Sequence, residues 1–177
     1  NVISDADYKF LKSKLKADGY DGWYFIVWFM AATGARVSEL QQIKVEHVLA
    51  GYLDMYTKGG KIRRLYIPKG LRVEAIKWIA EKQIQSGYLF VNRFGERLTT
   101  RGIAQQLKHF AVKYNLNPKV VYPHSFRHRF AKNFLERFND IALLADLMGH
   151  ESIETTRIYL RRTASEQQQI VDKIVNW

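Results

Sequence analysis

Cysteine is absent from the 177 residues, which excludes disulfide staples and cysteine-ligated zinc but hardly separates compartments. Long apolar runs are missing as well. The longest, WYFIVWFMAA over residues 23–32, is far below the ~20 residues that span a bilayer and reads as a buried helix. No signal peptide is visible, because the first residues, NVISDADYKF, are polar and carry a helix-start signal. A cytoplasmic protein with no membrane partner is expected by elimination. An initiator Met is lacking too, so the chain reads as a fragment or processed form. Acidic residues are few: 17 Asp and Glu face 28 Lys and Arg, a formal charge of +11. Such a surplus favours a polyanionic partner, although a merely basic soluble surface carries the same charge.

What is present is a globular composition, 47% hydrophobic and 14% aromatic. It excludes wholesale disorder and is long enough for one domain with a real core. Ser4 with Asp7 resembles a capping box, and Tyr8, Leu11 and Leu15 follow on one face until Gly19 stops the helix. Residues 23–33 are apolar nearly all round, as in a central core helix, and Gly34 breaks them. A further helical stretch is expected over 36–43. Residues 52–67, YLDMYTKGGKIRRLYI, read as a β-hairpin around a Gly-Gly turn, closed by Pro68. Helical periodicity returns over 71–85, with a short strand expected at 88–91. Thr99 or Thr100 caps a helix to about Tyr114, Pro123 sits in the first turn of the next, and Asp140 caps IALLADLMGH. Ser152 begins IETTRIYL, and Ser165 with Gln168 caps a tail helix. The expected fold class is α+β: mainly α with a small antiparallel β-sheet, without repeats or long linkers.

Five segments stand out: ARVSEL, TKGGKIRR, HSFRHRF, LMGH and RIYL. Each has an ordinary explanation alone. His124 and Arg127 lie at i and i+3 on one helix face, a compact donor pair for phosphate oxygens, yet a solvated basic face would look the same. His124 and His128 have a zinc-like i, i+4 spacing, but the HExxH carboxylate and a third ligand are missing, so no metal is expected. Arg36 adjoins the apolar helix and needs an anion there, either Glu39 at i+3 or a bound phosphate. Lys58 and Lys61 sit at the hairpin turn, where solvated lysines are common. Residues 140–160 also fit a helix-turn-helix, and Tyr159 alone fits a packing role.

Taken in order, TGARVSEL, TKGGKIRRLYIP, HSFRHRFA, LMGH and Tyr159 resemble the tyrosine recombinase and phage integrase family, from about Ser4 to Tyr159. The resemblance implies that family's catalytic-domain fold and DNA cleavage and rejoining through a 3′-phosphotyrosyl link. It implies Arg36 and Arg127 as paired arginines, Lys58 as the hairpin lysine, His124 and His150 as the two histidines, and Tyr159 as nucleophile. It implies double-stranded DNA as partner, work on mobile elements, assembly as a homo-oligomeric tetramer on DNA, and no cofactor. Such enzymes usually carry a further N-terminal DNA-clamping domain, which these residues do not contain, so 1–177 is expected to be a single catalytic domain. Lys61, Arg63, Arg64, Arg101 and Arg129 are expected to face DNA. The tail over 165–177 presents Ile170, Val171, Ile174, Val175 and Trp177 as a stripe that packs either on its own domain or on a neighbouring protomer. Two rivals stay open. A type IB topoisomerase uses a similar residue set, although its last histidine and tyrosine usually lie further apart. A non-catalytic helix-turn-helix module explains the charge but gives His124, Arg127 and Lys58 no shared purpose.

Overall fold

A computed structural model of the chain describes residues 2–56, 60, 62–149, 168, 171, 172 and 175. The chain opens with α1 (Asp5–Ala17), α2 (Asp21–Thr33), the single turn α3 (Val37–Leu40) and α4 (Val45–Ala50). The strands β1 (Tyr52–Tyr56) and β2 (Ile62–Tyr66) follow, then α5 (Lys69–Glu81), α6 (Thr100–Lys113), α7 (Pro123–Arg137) and α8 (Ile141–Met148). The fold is thus mainly α with one small antiparallel sheet, as expected.

Local chemistry sets most of these boundaries. The Ser4 hydroxyl accepts from the Asp7 amide, Thr99 from Gly102, and Asp140 from Leu143. Each satisfies an otherwise unpaired donor in a first helical turn. Pro123 occupies the first turn of α7, where its missing N–H costs nothing. In the hairpin, Tyr52 pairs with Tyr66, and Leu53, Met55, Arg63 and Leu65 point inward while their neighbours face solvent.

Two expectations are corrected. The helical stretch over 36–43 shrinks to α3, because the chain turns at Gln41 and Gln42. It then extends so that Lys44 bridges Tyr88 and the Leu89 amide donates to the Ile43 carbonyl. The strand over 88–91 is reduced to that bridge and another between Val91 and Arg97.

Helix α2 is the central pillar, packing on α1, α5 and α7. Phe25 stacks on Trp78 with ring centroids 4.7 Å apart, and Phe29 meets Phe90 edge-on at 5.5 Å. Phe29, Met30, Leu11 and Leu15 are fully buried, each side chain contributing about 1.5–3 kcal/mol relative to exposure. A satellite cluster of Ala131, Leu135, Leu144 and Met148 joins α7 to α8. Together they bring the C-terminal end of α2, the first turns of α7 and the end of α8 to one place. Among the described residues no helix is long and apolar enough to cross a membrane.

Candidate active site

The loop leaving α2 is built by its own residues. The Thr33 hydroxyl donates to the Phe29 carbonyl at 2.6 Å and accepts from the Ala35 amide at 3.2 Å. Gly34 then adopts φ +70°, and a Cβ there would lie 2.5 Å from Cδ1 of Phe130. Both the backbone and the close approach of α7 therefore require glycine. Two residues on, Arg36 leads into α3, where the Glu39 carboxylate accepts from the Arg36 amide at 2.7 Å and faces its guanidinium at 3.4 Å. Arg36 remains exposed.

Helix α7 supplies the second half. Ser125 is fully buried, and its hydroxyl accepts from the Ile3 amide at 2.9 Å. That contact ties the start of the chain to α7 and leaves His124 facing solvent beside it. Arg127 is 2% exposed. Its Nη1 donates to the Gly34 carbonyl and its Nη2 to the Met148 carbonyl at 2.7 Å. One guanidinium thus joins the loop that carries Arg36 to the end of α8, immediately before His150.

Arg127 holds the loop that carries Arg36, and His124 lies one turn before Arg127 on α7. Partial burial lowers the pKa of His124, helped by the charges of Arg127 and then Arg36. His124 therefore holds its proton less tightly than an ordinary imidazole. His128 lies edge-on to His124, ring centroids 4.3 Å apart. Burial first, and then His124 among its charged neighbours, lowers its pKa to about 4.

The hairpin cations divide. Arg63, grouped above with the DNA-facing residues, is corrected: it is 4% exposed and pairs with Glu39, and its Nε donates to the Leu147 carbonyl at 2.9 Å. It shares the inward face of β2 with Leu65, and successive strand residues point to opposite faces. That period was readable from Leu65 and Ile67. Arg64 lies on the outer face, bonded to Asp54 at 2.8 and 3.0 Å with its guanidinium over the Tyr52 ring. Arg129, another expected DNA contact, is instead mostly covered, paired with Asp5 at 2.7 Å and seated over the Tyr8 ring. Arg101 is exposed in the first turn of α6. Lys58, Lys61, His150 and Tyr159 lie outside the described residues, as does the expected helix beginning at Ser152. Sequence reasoning missed Ser125 as an anchor and the carbonyls of Gly34 and Met148 as a cradle. No residue type marks such backbone acceptors.

The guanidiniums of Arg36 and Arg127 carry N–H donors of the kind that bind an oxyanion, and the His124 imidazole is a group that can accept a proton. Proteins of known kind share this arrangement's framework. Over 151 residues, 84% of this chain, it is 36% identical to the tyrosine recombinase XerA of Pyrococcus furiosus and covers 53% of that protein. A 48-residue stretch, 27% of the chain, is 44% identical to the tyrosine recombinase XerC of Treponema denticola, covering 16% of it. The chain therefore spans about half the length of its long-matching relative. Among solved structures, a crystal structure of XerA recombinase superposes with a TM-score of 0.80 at 25% identity, covering 98% of this chain and 62% of that one. The catalytic domain of bacteriophage HP1 integrase shares the fold, with a TM-score of 0.66 at 21% identity over 99% of this chain and 96% of that domain. With residues 13–166 matching that family's pattern, the chain belongs to the phage integrase family.

Proposed function

We propose that this chain is the catalytic domain of a site-specific tyrosine recombinase, breaking and rejoining DNA strands through a 3′-phosphotyrosyl link at Tyr159. The observation that carries the reading is the grip of Arg127, one turn beyond His124 on α7, on the Gly34 carbonyl of the loop that carries Arg36 and on the Met148 carbonyl at the end of α8. The hydrogen bond to Gly34 joins segments 93 positions apart, and a phosphodiester fits the donors they carry. Support also comes from relatives of the same fold, among them the Tn1549 transposon integrase in complex with transposon right end DNA and the XerH recombinase bound to difH substrate.

In this mechanism Tyr159 needs activation, because at its ordinary pKa of ~10 only about one phenol in a thousand is ionised at pH 7. His124, neutral there, takes the phenolic proton. Burial is the main cause of the imidazole's lowered basicity, and a phosphate seated between Arg36 and Arg127 offsets the lesser part that comes from their positive charges. The phenolate attacks phosphorus in line, and Arg36, Arg127 and His150 donate to the non-bridging oxygens, where charge accumulates. Lys58 on the hairpin turn protonates the departing 5′-oxygen. The phosphotyrosyl bond conserves the energy of the cut strand, and a 5′-hydroxyl from a second strand reverses the step. Lys61, Arg64 and Arg101 contact the DNA backbone, and the tail over 165–177 docks on a neighbouring protomer in a tetramer. Val171 and Val175, the two stripe residues that are described, are both about half exposed, which favours docking.

A nicked suicide duplex tests the chemistry. Wild type should accumulate a covalent protein–DNA adduct and Tyr159→Phe none; adduct in the Phe variant refutes the nucleophile. Relaxation of supercoiled plasmid regardless of sequence would replace this reading with a type IB topoisomerase.

A further inference from the structure

Glu39 and Arg63 form a junction that the chemistry above does not use. The two oxygens of Glu39 are divided between neighbours: one accepts from the Arg36 amide at 2.7 Å, and the other faces the guanidiniums of both Arg36, at 3.4 Å, and Arg63. Glu39 is 13% exposed and the Arg63 side chain 2%. A carboxylate and a guanidinium withdrawn this far from water are stable only when held together. The far side of the Arg63 fork reaches another element. Its Nε donates to the Leu147 carbonyl in the last turn of α8, and its aliphatic end packs on Gly149. A Cβ at Gly149 would lie 2.9 Å from the Arg63 Nε, and Gly149 also adopts φ +69°. Glycine is therefore required there by the arginine as well as by the backbone. Arg63 belongs to β2, five residues after Lys58 on the same hairpin.

We infer that Arg63 is a positioning residue for strand cleavage: through Glu39 it fixes Arg36, and through Leu147 and Gly149 it fixes the backbone entering His150. The hairpin, the α3 turn and the end of α8 meet on this one side chain. It does for Arg36 and the backbone at residues 147–149 what the Gly34 and Met148 carbonyls do for Arg127. Only a planar fork does this. A lysine keeps the charge beside Glu39 but cannot reach that carboxylate and the Leu147 carbonyl at once.

The inference rests on the recombinase reading, and two measurements separate the failure of one from the failure of the other. The first is the rate of covalent adduct formation on nicked duplex at saturating DNA, alongside the DNA Kd. Displacing catalytic groups by about 1 Å can cost up to ~10²-fold in rate. Arg63→Met should therefore slow cleavage at least about tenfold while Kd changes less than about threefold. Arg63→Lys should fall between Met and wild type. A folded Arg63→Met that cleaves at the wild-type rate, or that loses affinity alone, overturns the inference. Should Met fail to fold, Arg63→Lys cleaving at the wild-type rate does the same. The second measurement is hydrogen exchange, which needs no activity. Peptides covering 36–40 and 147–149 should lose protection in Arg63→Lys while α1 and α2 keep theirs. If wild type forms no adduct, the recombinase reading fails, and unchanged exchange at both peptides then overturns the junction independently.

Discussion

In the proposed mechanism Arg127 and Arg36 share one task, yet the molecule holds them in opposite ways. Arg127 is buried, and two backbone carbonyls from distant parts of the chain, Gly34 and Met148, receive its guanidinium. Arg36 is exposed, and a carboxylate three residues away steadies it. The first is part of the framework: removing it orphans two acceptors and disconnects the end of α8 from the end of α2. The second is a donor presented to solvent, which can meet an incoming phosphate with little disturbance to the fold. Stability and chemistry are thus coupled at Arg127 and separable at Arg36.

The widest gap should appear with Arg127→Met. Each buried carbonyl left without its donor costs about 1–3 kcal/mol, and loss of a preorganised donor lowers cleavage by roughly 10²–10³. Urea denaturation and adduct formation should both register the change, and unchanged stability would break the comparison. Arg36→Met comes next. Cleavage should fall by a similar ~10²–10³, but an exposed ion pair contributes only about 0–1 kcal/mol, so the denaturation midpoint should barely move. A large loss of stability would place Arg36 in the framework as well.

The smallest effect concerns pH. His128 is held at about 4, below its ordinary 6.5, so the unfolded chain takes up a proton first as the solution is acidified. The stability of a neutral His128 is full above about 6.5, and it declines as pH falls toward 4. Urea midpoints at about pH 7.5 and about pH 5 should differ less in His128→Gln than in wild type. An equal difference in both proteins would show that His128 carries none of this dependence. For His124, lowered for related reasons, cleavage should persist through neutral pH and fade only when acid protonates the imidazole.

Much of the fold was legible because it depends on neighbours in sequence. The caps at Ser4, Thr99 and Asp140, the proline opening α7 and the outline of the hairpin all follow from the residues at those positions. Helix α4 was not foreseen. Six residues are too short for a periodic signal, and its first turn depends on Lys44 bridging Tyr88, more than forty positions away. At the site, the ordered segments pointed to Arg36, His124 and Arg127 without revealing what holds them. Arg63 and Arg64 show the limit at its sharpest. Adjacent and alike in sequence, one is buried against Glu39 and the other lies outside with Asp54.

The sequence alone determined which groups are chemically able to act and where helices start and stop, since residue identity and short-range spacing suffice for both. The tertiary structure decided which arginine faces inward, which carbonyls receive Arg127, and that Glu39 serves Arg36 and Arg63 together. The reason is physical: burial and long-range hydrogen bonds are properties of surfaces that exist only once α2, α7, α8 and the hairpin have packed.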